Sequence, residues 1–336
     1  MAVSFMAGSL AQTAARGNLA PRPPLPDFPV RPVGCAGGAV SGRICGMKIK
    51  DILAGGRVSV SLEVFPPKKD EGFARMREVV ERLCAAKPSF MSVTFGAGGG
   101  RDAHTADVAG SIEARGVTAL AHQTCVGTDP AQLPARLALL RSLGVENILA
   151  LRGDLPEGAV APAPGFFAHA SDLVRAIRAA DPSFCVGGAC YPECHPESPH
   201  TDEDVRRLKE KVDAGCDFLT TQMFFDNALF YRFLWKVREA GIGVPVVAGI
   251  MPITNGNQVA RAQKLSGSFM PRRFTALVDK FGDKPAAMEQ AGVAYATDQI
   301  VDLIANGVRA VHVYTMNKPQ VAEAILRNLS EILAAG

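Results

Sequence analysis

From Arg57 onward the chain alternates between two textures: short runs in which apolar residues dominate or alternate with polar ones, and longer stretches in which apolar residues recur at helical spacing. The runs at 57–65, 90–95, 117–124, 146–152, 184–191, 217–222, 245–250 and 308–314 predict eight strands. The helical pattern falls near 72–86, 104–115, 130–142, 169–180, 201–214, 227–240, 285–306 and 318–334. Strands that each hand over to a helix build a parallel sheet, and eight such units predict a (β/α)8 TIM barrel rather than an open sheet. The gap between the seventh and eighth strands is the longest, and 255–264 and 271–281 predict extra helices there.

The first strand shows which side faces where. Val58, Val60, Leu62 and Val64 alternate with Ser59, Ser61, Glu63 and Phe65. The apolar set is expected to face the helices, and Ser59, Ser61 and Glu63 the barrel interior. A carboxylate is costly to bury without a partner, so Glu63 marks a mouth and not a packed floor. Other polar residues collect at the same strand ends, where this fold builds its active sites. They are Thr94, His122, Arg152-Gly153-Asp154, the run Tyr191 to His195, and Gln222, with Gly249 to Pro252 and Tyr314 to Asn317 closing the last two strands. Each alone has a plain structural reading: a packed histidine at 122, a cap at His195, a turn at Asp154, strand propensity at Thr94. Glu63 resists that reading most, because it interrupts an apolar alternation just before Pro66 and Pro67.

Composition narrows the classes. With 336 residues, 48% hydrophobic and 21% charged, disorder as the main state is excluded. The net charge of +3 resides in residues 1–46, where Arg16, Arg22, Arg31 and Arg43 face Asp27 alone. From Met47 onward acids and bases balance, so charge gives no case for nucleic acid or an anionic membrane. Residues 1–46 also carry Pro21, Pro23, Pro24, Pro26, Pro29 and Pro32 and show neither period, so they are expected to form a disordered extension. Their Arg-rich, acid-poor character is compatible with a transit segment. Translation beginning at Met47 is the favoured account, with 47–336 forming a single catalytic barrel. Cys190, Cys194 and His195 suggest a metal site, but no second Cys or His pair sits at zinc-finger spacing, so no metal is expected. The eight cysteines read as buried thiols of a reducing, cytoplasmic setting. There is no apolar run long enough to span a membrane. Gly96-Ala97-Gly98-Gly99-Gly100 fits neither the Rossmann nor the P-loop fingerprint and is read as a flexible loop over the mouth. Hydrolase and zinc-protease motifs are also missing.

Taken together, the strand-end segments resemble methylenetetrahydrofolate reductases of the bacterial type. The matching stretches are Ser61 to Pro67, Ser92 to Ala97, Leu151 to Pro156, Tyr191 to Glu197, Lys211 to Gly215 and Thr221 to Asp226, in order along residues 47–330. The resemblance implies an FAD-dependent barrel that reduces 5,10-methylenetetrahydrofolate to 5-methyltetrahydrofolate. Electrons would come from NADH or NADPH in a ping-pong order, serving one-carbon metabolism and methionine synthesis. It implies Glu63 as general acid, held protonated by burial, and Asp154 as a catalytic charge near flavin and folate where water is excluded. Flavin contacts implied are Thr94, Phe95, His122, Arg152, Gly153, Asp154, Ala170, Tyr191, His195, Asp204 and Lys211. Gln222, Gln258 and Lys318, with Asp154, would meet folate and nicotinamide. The family commonly forms homo-oligomers, so one is expected here.

This sequence departs from the family pattern at Glu210, often basic; His169, commonly Tyr; Lys318, frequently Arg; and Gly256, commonly aromatic. Lys318 lacks the bidentate fork of an Arg. The chain ends soon after its eighth unit, so feedback by S-adenosylmethionine through a further domain is not expected. Two rival readings are a proline dehydrogenase-like FAD barrel, which has no need of Glu63 as proton donor, and a non-catalytic barrel that binds flavin or folate.

Overall fold

The alternation in the first strand sets the frame of the molecule. In a computed structural model that describes residues 47–67, 69–95, 102–155 and 165–335, β1 (Ser59–Val64) pairs in parallel with β2 (Met91–Val93) on one side and β8 (Ala310–Tyr314) on the other. Between them β3 (Ala119–Thr124), β4 (Asn147–Leu151), β5 (Cys185–Cys190), β6 (Phe218–Thr221) and β7 (Val246–Ile250) close a barrel of eight parallel strands in sequence order. Helix α1 (Ile49–Ala54) precedes β1, and α2 (Phe73–Ala85), α3 (Asp102–Glu113), α4 (Leu133–Ser142), α5 (Ala170–Ala180), α6 (Thr201–Asp213) and α7 (Asn227–Glu239) follow β1 to β6 in turn. The long connection after β7 holds α8 (Asn257–Ser266), α9 (Arg272–Phe281) and α10 (Pro285–Ala305), and α11 (Pro319–Asn328) and α12 (Ser330–Ala335) follow β8.

The predicted (β/α)8 barrel with extra helices between its last two strands is therefore the observed one. Two elements differ. The single helix expected over 318–334 is two, jointed at Leu329, whose side chain is fully buried. Helix α1 was not foreseen, because six residues are too few to display a period. The expectations for 1–46, for the glycine loop 96–100 and for Pro156 lie outside the described residues.

Two apolar layers result from the period of two along each strand. Val60, Leu62 and Val64 point outward and join Val80, Leu83, Ile112, Ile177, Val237 and Ile325 in the layer between barrel and helices. The inward set splits by height. At the N-terminal end Ile49, Phe90, Leu120, Leu149, Phe218 and Val247 form a dry floor, with α1 laid beneath it. Asn147 fastens α1 there: its Oδ1 accepts from the Ile49 N–H at 2.8 Å and its amide donates to the Met47 carbonyl at 3.2 Å. Gly187 on β5 leaves room for the floor, since a Cβ there would run into the Phe218 ring. Above this floor the inward residues turn polar.

Candidate active site

Glu63, near the end of β1, is 6% exposed and shares the barrel interior with His122 of β3 and His312 of β8, at 7% and 2%. Both imidazole Nε2 atoms lie 3.6 Å from Glu63 Oε2. The Ser92 hydroxyl on β2 stands 3.2 Å from the same carboxylate oxygen and 3.1 Å from His312 Nε2. The parallel register explains the gathering, because Glu63 is level with Ser92 on one neighbour and Tyr314 on the other, two residues above the Ser61–His312 pair.

The electrostatics correct one expectation. Burial alone pushes the Glu63 carboxyl up, but the contact with His312, the pull of its imidazole and the Ser92 hydroxyl help outweigh it and bring the group below its ordinary value. Glu63 is thus not held protonated by desolvation, because the barrel supplies its charged form with partners. His122 behaves oppositely. Burial pushes it down to about 4 against the pull of Glu63, and its Nε2 has no hydrogen-bond partner.

The chain beyond Glu63 is pinned from β8. Thr315 Oγ1 donates to the Glu63 carbonyl at 2.6 Å, and the Asn317 side chain bonds both the N–H and the carbonyl of Phe65 at 2.9 Å. Asn317 reaches back because it and Met316 take left-handed backbone angles, φ 55 and 53, a conformation Asn tolerates better than most side chains.

The other expected residues form an arc around the mouth. Thr94 and Phe95 follow β2; the Thr94 N–H donates to Val64 O at 3.1 Å, and the Arg136 guanidinium lies 5.6 Å from the centre of the Phe95 ring. After β4, Gly153 has φ +80, and a Cβ there would sit 3.0 Å from the Thr124 side chain, so only glycine turns the chain at this point. Arg152 binds Glu197 through two parallel bonds of 2.5 and 2.7 Å. Asp154, just after the turn, is exposed. Its carboxylate, with burial as the larger cause, helps push the Tyr191 hydroxyl up to about 12. Tyr191 meets His195 edge-on at 4.6 Å. Asp204 accepts from the His195 N–H at 3.2 Å and from Ser198 Oγ at 3.1 Å, and Lys211 Nζ donates to Ala189 O at 2.6 Å. Ala170 opens α5, where the His169 N–H donates to Asp172. A cleft of about 470 Å³ opens beside Tyr191, Glu193 and Asp204, with Phe269 exposed at its edge.

Gln258 and Lys318 belong to a separate group in which both engage Thr254: Gln258 Oε1 accepts from its N–H at 2.9 Å, and Lys318 Nζ donates to its hydroxyl at 2.7 Å. Gln222, at the end of β6, spends its Oε1 on the next backbone N–H. His312 and Ser92 are central to the geometry and were given no role from the sequence, and Asn317 entered only as the last residue of the run that closes β8. His312 had a signal of its own, since it interrupts Val311 and Val313 as Glu63 interrupts Leu62 and Val64. Cys84, Cys125, Cys185, Cys190 and Cys216 are free and buried. No helix among the described residues is long and apolar enough to cross a membrane.

A closed parallel barrel with a carboxylate between two imidazoles above an apolar floor, and cationic side chains around the same end, defines a (β/α)8 protein with a buried cluster of titratable groups at its C-terminal mouth. Residues 48–330 match the model of the methylenetetrahydrofolate reductase family, and the chain belongs to that family. Among curated relatives it is 36% identical over 298 residues to maize methylenetetrahydrofolate reductase (NADH) 1, covering 85% of this chain and 50% of that protein. It is 34% identical over 276 residues to the 5,10-methylenetetrahydrofolate reductase of Escherichia coli, covering 82% of this chain and 91% of that protein. The chain thus spans about half the length of the plant relatives. A solved structure from Clostridium thermocellum, described as an uncharacterized protein that binds two copies of 5-methyl-5,6,7,8-tetrahydrofolic acid, shares the fold with a TM-score of 0.59. It is 14% identical, with 86% of this chain and 99% of that one covered.

Proposed function

We propose that the barrel reduces 5,10-methylenetetrahydrofolate to 5-methyltetrahydrofolate with FAD as resident cofactor and NADH or NADPH as electron source. The observation that carries this reading is the placement of Glu63, a buried carboxyl with two imidazoles and a hydroxyl around it, in a chain of the reductase family. The side chains around the mouth fit FAD. Arg152 already grips a bidentate carboxylate, the geometry with which a guanidinium also grips a phosphate. Lys211 adds a second cation, and the buried Nε2 of His122 lacks a partner. Thr94, Phe95, Gly153, Ala170, Tyr191, His195 and Asp204 would complete the holding arc. When bound, FAD supplies two-electron transfer from the nicotinamide to the folate.

The protein's own part is acid catalysis and positioning. Protonated Glu63 would give its proton to the folate nitrogen that leaves the methylene carbon. A C–N bond breaks, an N–H bond forms, and Glu63 is left as carboxylate. The cation that results would be favoured by the Asp154 carboxylate. Gln222, Gln258 and Lys318 would orient nicotinamide and folate in turn, which suits a ping-pong order. A homo-oligomer working in the cytoplasm and feeding methionine synthesis is part of the same reading.

Glu63→Gln tests it. The purified variant should remain yellow and bleach with NADH or NADPH, yet lose folate reduction by on the order of a hundredfold or more. Normal turnover of methylenetetrahydrofolate by this variant defeats the mechanism, and a colourless protein that FAD cannot reconstitute defeats the function.

A further inference from the structure

Counting protons inside the barrel shows how Glu63 comes to have one to give. Ser61, Ser92, His312 and Glu63 are all buried and form one chain of polar contacts across β8, β1 and β2. Ser61 Oγ lies 3.1 Å from the Val311 carbonyl and 2.8 Å from His312 Nδ1. A hydroxyl has one proton, and a carbonyl can only accept, so Ser61 donates to Val311 and accepts from His312 Nδ1–H. That fixes the Nδ1 proton and leaves Nε2 as the variable end of the ring. Ser92 Oγ stands between Nε2 at 3.1 Å and Glu63 Oε2 at 3.2 Å. The direct Nε2 to Oε2 separation of 3.6 Å is too long for a hydrogen bond, so any proton passes through Ser92.

With a lone pair on Nε2 and a bare carboxylate, the single Ser92 proton serves one acceptor and leaves the contact with the other unmade, which is costly in a buried setting. One additional proton satisfies both contacts, in either of two ways. Placed on His312, Nε2–H donates to Ser92 and Ser92 donates to Oε2. Placed on Glu63, Oε2–H donates to Ser92 and Ser92 donates to Nε2. The heavy atoms need not move between the two.

We infer that His312 stores the catalytic proton and that Ser92 relays it to Glu63, an inference that rests on the acid role proposed for Glu63. The step balances. His312 gives its Nε2 proton to Ser92 Oγ as Ser92 gives its own to Glu63 Oε2, so imidazolium and carboxylate become imidazole and carboxylic acid. Glu63 then protonates the departing folate nitrogen, and water refills the pair once the mouth clears. The groups that face this pair do not compete for the proton. His122, across from Glu63 on β3, is kept neutral by burial. Tyr314, edge-on to His312 at 5.3 Å, donates its hydroxyl to Thr221 O at 2.5 Å. Phe90 stacks on the other side at 6.0 Å. Ser92 and His312 are therefore positioning residues that act through Glu63.

The test labels Glu with ¹³C at the side-chain carboxyl and His with ¹⁵N in the ring, and follows both by NMR across pH in the full-length flavin-bound protein. In wild type the Glu63 carboxyl and His312 Nε2 signals should change together, as one shared proton. In Ser92→Ala they should titrate separately. The folate half-reaction of Ser92→Ala should fall about tenfold or more, with its pH profile displaced, and Ser92→Thr, which keeps the hydroxyl, should restore both. His312→Gln should displace the same profile, which a purely structural role of the ring would not do. Independent titration in wild type, an unshifted profile in Ser92→Ala, or failure of Ser92→Thr to restore it overturns the relay. Wild type that never turns over methylenetetrahydrofolate refutes the proposed function instead, while the NMR arm still decides whether the proton is shared.

Discussion

Glu113 shows at single-residue scale how burial and charge trade places with pH. It ends α3, and its Oε1 accepts from the Ala119 N–H at 2.7 Å, tying that helix to the start of β3. Burial pushes its carboxyl up to about 7 from an ordinary 4.5, with the Ala119 bond opposing and Glu146 adding. Between those two values the folded chain holds more protons than the unfolded one, so stability falls as pH rises through the window. Glu113→Gln keeps an amide oxygen for Ala119 and removes the charge. Thermal unfolding should give it a higher Tm than wild type at pH 8, with the difference vanishing near pH 4.5; an equal Tm at pH 8 contradicts the account. Residues differ in how openly the sequence announces them. Glu63 is legible because a carboxylate has no place in an apolar alternation. His312 breaks an alternation too, but a lone histidine passes for packing until the register sets it level with Ser61. Asn317 is legible only by its place after the eighth strand, since its role depends on a left-handed backbone that brings its amide to Phe65.

At the scale of elements, the strands were readable because each buries one face against helices and one inside the barrel. Their cores fall within the expected runs, and the ends differ only where residues such as Thr94 and Phe95 extend past the ladder. Short α1 escaped because its reason for existing is tertiary: it is the lid of the floor, held by Asn147 ninety-eight residues away from Ile49. Ile49→Ala should therefore cost about 2–5 kcal/mol in urea-induced unfolding, the range for a fully buried isoleucine whose site cannot collapse. A cost near zero means α1 is not part of the floor. The two-helix ending around Leu329 was hidden for a related reason, as the period continues through a joint that only packing creates.

For the whole molecule, α1 is the first element among the described residues, and the floor, wall and polar centre are built from residues within 47–335. A protein shortened to 47–336 is expected to fold and bind FAD as the full chain does; loss of the flavin absorbance on shortening shows that residues 1–46 contribute. Closure of the barrel was legible from the count of strand–helix units, whereas the polar centre was legible only in part, because Glu63, Ser92, His122 and His312 come from four strands whose alignment is a property of the closed sheet.

The floor beneath that centre has a consequence for timing. Ile49, Phe90 and Phe218 pack across the lower end, so the polar chamber around Glu63 has an apolar floor beneath it. If the proposed relay operates, a reactant seated over Glu63 isolates that chamber from bulk water, so the proton inventory inside would be set before the reactant arrives and not topped up while it stays. Each visit would then spend what was loaded beforehand, and the chamber would have to be vacated before the next charge is taken on.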